Sequence, residues 1–168
     1  SNNGWIVFED FVLVIDANLR RPGLAALAGV DGTSGLAEVL EGRTSLADAA
    51  RPSAQPGLSV LAAGTATGDP GALLSSAELP ALLASAKARY DIVIVDAAAV
   101  SIAADAAIIG ASLDGAVVVA DSTRVRAAQL TGALEALDRS GVTILGVVLN
   151  RAHPHRHRYP ARTHGSES

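Results

Sequence analysis

The chain has 168 residues, 49% of them apolar but only 3% aromatic, so its core must be assembled from Ala, Val, Leu and Ile. That length accommodates one α/β domain with a substantial core. A net charge of −4 argues against a nucleic-acid partner, and the absence of Cys excludes disulfides and thiolate metal sites.

No Met occurs, so the chain reads as a fragment or as a product whose initiator was removed. No apolar run reaches the roughly 18 residues of a membrane span, and no signal peptide stands out, so a cytoplasmic domain is expected. Residues 1–11, SNNGWIVFEDF, form an atypical start in which Trp5–Phe8 reads as a strand. The main domain is expected over residues 12–151. Five apolar runs predict its strands: Val12–Ile15, Leu58–Leu61, Ile92–Val95, Gly115–Ala120 and Val142–Leu149. Most are continuous rather than alternating, as in parallel strands covered on both faces. Helices are predicted over Gly35–Leu40, over Ala77–Ala88 with the Ser75-Ser76 pair as its N-cap, over Ala103–Ala111 and over Val125–Arg139, the last two ending near Gly110 and Gly141. Alternation of strand and helix predicts a doubly wound, mostly parallel sheet flanked by helices. Residues 152–168 read as a disordered tail rich in His and Arg.

In such folds ligands bind beyond the carboxyl ends of the strands. The residues there are Asp16 with Asn18 and Arg20, then Gly64 and Thr65, Asp96, Asp121, and Asn150 with Arg151. Two strands ending VLVID and DIVIVD favour a magnesium–phosphate site, because Mg²⁺ takes one or two protein carboxylates and keeps several waters.

These stretches also carry a family likeness. VLVIDANLRRPGLAAL resembles the second Walker motif of the bacterial tyrosine autokinases of capsule and exopolysaccharide synthesis. GLAEVLEG (35–42), LSVLAAGTATGDPGALLSSAEL (58–79), YDIVIVDAAAV (90–100), ADAAII (104–109) and GVVLNR (146–151) are similar to that family's following segments, in the same order. The resemblance covers residues 12–151 and implies a P-loop-ATPase-like fold that uses ATP and Mg²⁺. It implies that Asp96 holds the magnesium shell as the Walker B acid. Asp16, beside the transferring phosphate, is the implied base for a tyrosine hydroxyl, and Asn150 lies near the adenine. Asn18, Arg20 and Arg151 complete the implied nucleotide contacts, with Arg20 and Arg21 reading equally as phosphate or subunit contacts and as cover for Asp16. Tyr159 is a candidate phosphate acceptor. A membrane subunit that controls polysaccharide chain length is the implied partner, self-association is a further expectation, and the location is the inner face of the plasma membrane.

Three departures stand out. Asn18 replaces an acid, and an amide cannot take a proton at neutral pH. Asp96 is followed by Ala97, Ala98 and Ala99 where the family has Thr-Pro-Pro. No Gly-rich loop ending Gly-Lys-Ser/Thr occurs, and Lys87 is the single lysine. Eleven residues cannot hold a strand, that loop and a crossover helix before Val12, so the first strand–loop–helix unit is expected to be missing. Two alternatives follow: a non-catalytic interaction module, and a partition ATPase of the MinD/ParA type.

Overall fold

Apolar runs become strands here because each is bounded by turn residues and fed by a short helical connection. The computed structural model describes residues 11–98 and 105–152. In chain order the elements are β1 (Val12–Asp16), α1 (Leu24–Ala28), α2 (Leu36–Leu40), α3 (Leu46–Ala49), β2 (Arg51–Pro52), β3 (Leu58–Leu61), α4 (Pro70–Leu74), α5 (Glu78–Lys87), β4 (Ile92–Asp96), α6 (Asp105–Ala111), β5 (Ala116–Asp121), α7 (Ala127–Arg139) and β6 (Ile144–Asn150). Four strands pair in the order β2-β3-β1-β4. β1 is parallel to both β3 and β4, and the short β2 is an antiparallel edge. β5 and β6 form a separate parallel pair.

Strand residues alternate between faces. Leu13 and Ile15 therefore look into one layer, where they meet Leu36, Leu40, Leu61, Leu74, Leu79, Leu82, Leu83 and Ile109. This core is leucine-built, as the composition requires. Each such side chain, fully buried, contributes about 1.5–3 kcal/mol. The expectation of strands covered on both faces holds for β1, whose residues are buried or nearly so. It does not hold for β4, where Ile92 and Ile94 are 43% and 49% exposed while Val93 and Val95 pack on the core. α5 supplies cover for β4, and the alternation shows that only one face receives it.

The five strands predicted over residues 12–151 and the four predicted helices form, with ends shifted by at most two residues; positions 103 and 104 of the third helix lie outside the described residues. Asp16, Asp96, Asp121 and Asn150 are the last residues of their strands rather than the first beyond them. The Ser75-Ser76 pair does not cap α5, whose N-cap is Ala77 without a side-chain bond. Asp69 and Pro70 start a helix earlier: the Asp69 carboxylate accepts from Ala72 N–H, Pro70 occupies the first turn, and Ser75 closes α4 with its hydroxyl donating to Gly71 O at 2.7 Å. α6 ends at Ala111, beside Gly110 as expected, and a Cβ on Gly110 would meet Val142 Cγ2 at 2.9 Å. Gly141, at φ 77°, does end its helix as expected. Trp5–Phe8 and the tail from 153 lie outside the described residues.

Candidate functional site at the carboxyl edge

β1 and β4 run side by side in register, so Asp16 and Asp96 are Cα partners at their carboxyl ends. Ala17 N–H donates to Asp96 O at 2.8 Å, which locks the two strand ends together. The two side chains meet different surroundings. Asp16 is 1% exposed. Its Oδ1 accepts the N–H of Asn18 at 3.1 Å, and its Oδ2 accepts those of Gly23 and Leu24, each at 3.0 Å. Asn18 continues the same turn, its Oδ1 accepting from Arg21 N–H at 3.2 Å. Asp96 is an exposed residue, and its carboxylate has no hydrogen-bond or ion-pair partner among the described residues. Partial burial and the neighbouring Asp16 charge push its pKa above the ordinary aspartate value.

A second cluster ends β5 and β6, where Asp121 and Asn150 are Cα partners. Ser122 N–H donates to Asn150 O at 3.0 Å. Asn150 Oδ1 accepts from Arg151 N–H at 2.8 Å, and Arg151, at φ 55°, reaches Asp121 Oδ2 at 3.0 Å. The hydroxyl and N–H of Thr123 hold the Asp121 carboxyl below its usual range, aided by Arg151 and Arg124. The Asp121–Arg151 pair is a contact the residue order alone did not disclose.

Sequence reasoning also missed Glu38. This buried carboxylate accepts Gly35 N–H at 2.7 Å and Thr65 N–H at 3.0 Å, and Arg43 lies 3.4 Å away. Arg43 in turn donates to Thr65 O at 3.0 Å and pairs with Glu41, which takes Thr67 N–H and hydroxyl at 2.8 Å. The loop after β3 is thus clamped onto α2. The available signal was Glu38 three residues after Gly35, the spacing at which an acid in the first helical turn reaches back to the N-cap N–H.

Lys87 ends α5, just before β4 begins, and pairs with Asp114 at 2.9 Å. It therefore sits at the amino edge, a full strand length of about 16 Å from Asp96. Among the described residues no cluster of three His, Cys, Asp or Glu is arranged to hold a metal, and no helix is long and apolar enough to cross a membrane. Mg²⁺ takes one or two protein carboxylates and completes its shell with waters and substrate phosphates, and the carboxylate of Asp96 is a donor of that kind. Tyr159 lies outside the described residues.

Parallel strands with flanking helices and polar residues gathered at their carboxyl ends define an α/β domain of the kind that binds ligands at that edge. No family model matches the chain. Over 139 residues, 83% of this chain, it is 34% identical to the tyrosine-protein kinase ptk of Acinetobacter johnsonii. The crystal structure of the VpsO kinase domain superposes with a TM-score of 0.81 at 31% identity, covering 86% of this chain and 72% of that one. MinD of Pyrococcus horikoshii, solved with Mg-ADP, is more distant, with a TM-score of 0.68 at 25% identity over 88% of this chain and 60% of its own. The chain belongs to the bacterial tyrosine-kinase family. It spans 19% of the length of the Acinetobacter relative.

Proposed function

We propose that this chain is part of an ATP-dependent protein-tyrosine autokinase that acts in capsule or exopolysaccharide synthesis. Within it, Asp16 and Asp96 form the acidic pair of a magnesium–nucleotide edge. The observation that carries this reading is the in-register Asp16–Asp96 pair at the carboxyl end of adjacent parallel strands. When bound, Mg²⁺ neutralises phosphate charge and so favours transfer of the terminal phosphoryl group to a tyrosine hydroxyl. Asp96 keeps its carboxylate open toward such a hydrated cation. Asn150, the last residue of β6, and Arg151, just beyond it, are the residues proposed to flank the base, with Asn18 and Arg20 on the turn after Asp16. Tyr159 is the proposed acceptor, and a membrane subunit of polysaccharide export is the proposed partner, which would bring the domain to the inner membrane face.

Residues 1–168 contain no Gly-Lys-Ser/Thr sequence, and Lys87 is committed to the amino edge. These residues therefore supply the acidic half of the site and not the phosphate-cradling half. The second reading is a nucleotide-independent interaction module, favoured by one observation: Asn18, where the family has an acid, spends its side-chain oxygen closing the local turn.

Calorimetric titration with ADP and an ATP analogue, with and without Mg²⁺, tests the proposal. Magnesium-dependent binding that Asp96→Ala weakens by about tenfold or more supports it, on the scale of one charged contact. Absence of binding at millimolar nucleotide by the folded chain overturns a nucleotide site formed by these residues, leaving a piece whose site needs the rest of the kinase or an interaction module.

A further inference from the structure

We propose that Asp16 is a positioning residue whose carboxylate tethers the 17–24 turn, leaving Asp96 as the one member of the acidic pair open to a cation. This rests on the reading of the carboxyl edge as a nucleotide site. A carboxylate has about four lone-pair sites. Three of those on Asp16 are taken by the N–H groups of Asn18, Gly23 and Leu24, at 3.1, 3.0 and 3.0 Å. The remaining one, on Oδ1, belongs to a residue that is 1% exposed. A proton acceptor or direct cation ligand needs a lone pair that the incoming group can reach, and Asp16 does not present one. Its three bonds instead reach forward two, seven and eight residues. They fold the turn bearing Asn18, Arg20 and Arg21 back over the end of β1 and fix where those side chains start.

The geometry also explains the need for an acid rather than an amide at this position. Both oxygens receive N–H donors, so an asparagine would turn its own NH2 group toward at least one of them. Asp96 is the converse case. Its register with Asp16 places it at the same edge, yet no donor among the described residues occupies its carboxylate.

Two measurements on Asp16→Asn and Asp96→Asn test the assignment. The first is backbone amide hydrogen exchange. In Asp16→Asn the amides of Asn18, Gly23 and Leu24 should exchange about tenfold faster or more, and in Asp96→Asn they should be unchanged. The second is the ratio of ADP affinity with Mg²⁺ to that without. Asp96→Asn should bring this ratio close to one, whereas Asp16→Asn should weaken both affinities and leave the ratio intact, a split that loss of stability alone does not produce. Unchanged exchange in Asp16→Asn, or loss of the magnesium ratio in Asp16→Asn with retention in Asp96→Asn, overturns the proposal. If Asp16→Asn does not fold, the unmodified chain decides. Protection of the three amides about tenfold or more above that of Leu19, in the same turn, supports the tether, and equal exchange refutes it. If no variant binds ADP, the nucleotide reading fails while the exchange data still decide what Asp16 does.

Discussion

Replacing Glu38 with Ala removes the acceptor for two backbone N–H groups at once. Gly35 is buried, so its N–H, now 2.7 Å from Glu38 Oε2, would be stranded without water at a cost of about 1–3 kcal/mol. Thr65 is exposed and can bond to water instead, so its lost bond costs about 0.5–1.5 kcal/mol. Arg43 keeps Glu41 and contributes little. The removed carboxylate no longer has to be desolvated, which offsets part of the loss. The net expectation is a destabilisation of about 2–3 kcal/mol, or about 4–12 °C in melting temperature for a chain of this size. Urea unfolding should show a lower midpoint with an unchanged slope. The difference should also depend on pH. Burial pushes the Glu38 carboxyl up, but the N–H groups of Thr65 and Gly35, its own N–H and the Arg43 charge outweigh it and hold the pKa below the ordinary value. A depressed carboxyl pKa contributes stability above the unfolded value, near 4.3, and loses it as pH falls through the folded value. The gap between the two proteins should therefore narrow below about pH 4.3. A loss under about 0.5 kcal/mol at neutral pH would refute the clamp, because that is the scale of an unremarkable surface substitution.

Gly35→Ala should destabilise by about 2 kcal/mol or more, since its Cβ would lie 2.0 Å from Ala62 O and would break the bond from Leu36 N–H to that oxygen; thermal unfolding reads this directly. Asp96→Asn should stabilise the metal-free chain at neutral pH, by about 0.5 kcal/mol or less given its exposure. The raised folded pKa means that Asp96 costs stability once ionised, so the gain should disappear as pH falls toward the unfolded value of about 3.9, as melting curves across pH will show. Lys87→Ala should change stability by less than about 0.5 kcal/mol and leave nucleotide affinity alone, because its partner Asp114 is an exposed residue at the other edge; a marked loss of affinity in calorimetry would contradict that placement.

Strands were legible where a run of Val, Ile and Leu ends in Asp. VLVID and DIVIVD need no tertiary information to be read as parallel strands delivering acids to one edge. The helices α1, α3 and α4 were not legible: with four or five residues none displays a helical period, and of the helices this short only α2, in the run GLAEVL, was read from the sequence. The Ser75-Ser76 pair misled for the same reason: the real start signal, Asp69-Pro70, belonged to a helix too short to notice. Within the site, residue types were readable and partners were not. Asp16 is bound by Gly23 and Leu24, and Arg151 reaches Asp121 thirty positions earlier only because β5 and β6 are parallel. Glu38 looked like one more helix-forming residue until Thr65 was brought against it from 27 positions away.

Mapping Mg·ADP onto the folded chain by amide chemical shifts tests the acidic carboxyl edge most directly. Magnesium-dependent shifts are expected at the carboxyl edge, at Asp96, at the 17–24 turn and at Asn150 and Arg151, with Lys87 and Asp114 silent. Shifts that concentrate at the amino edge, or that are the same with and without Mg²⁺, would contradict a site at the carboxyl edge.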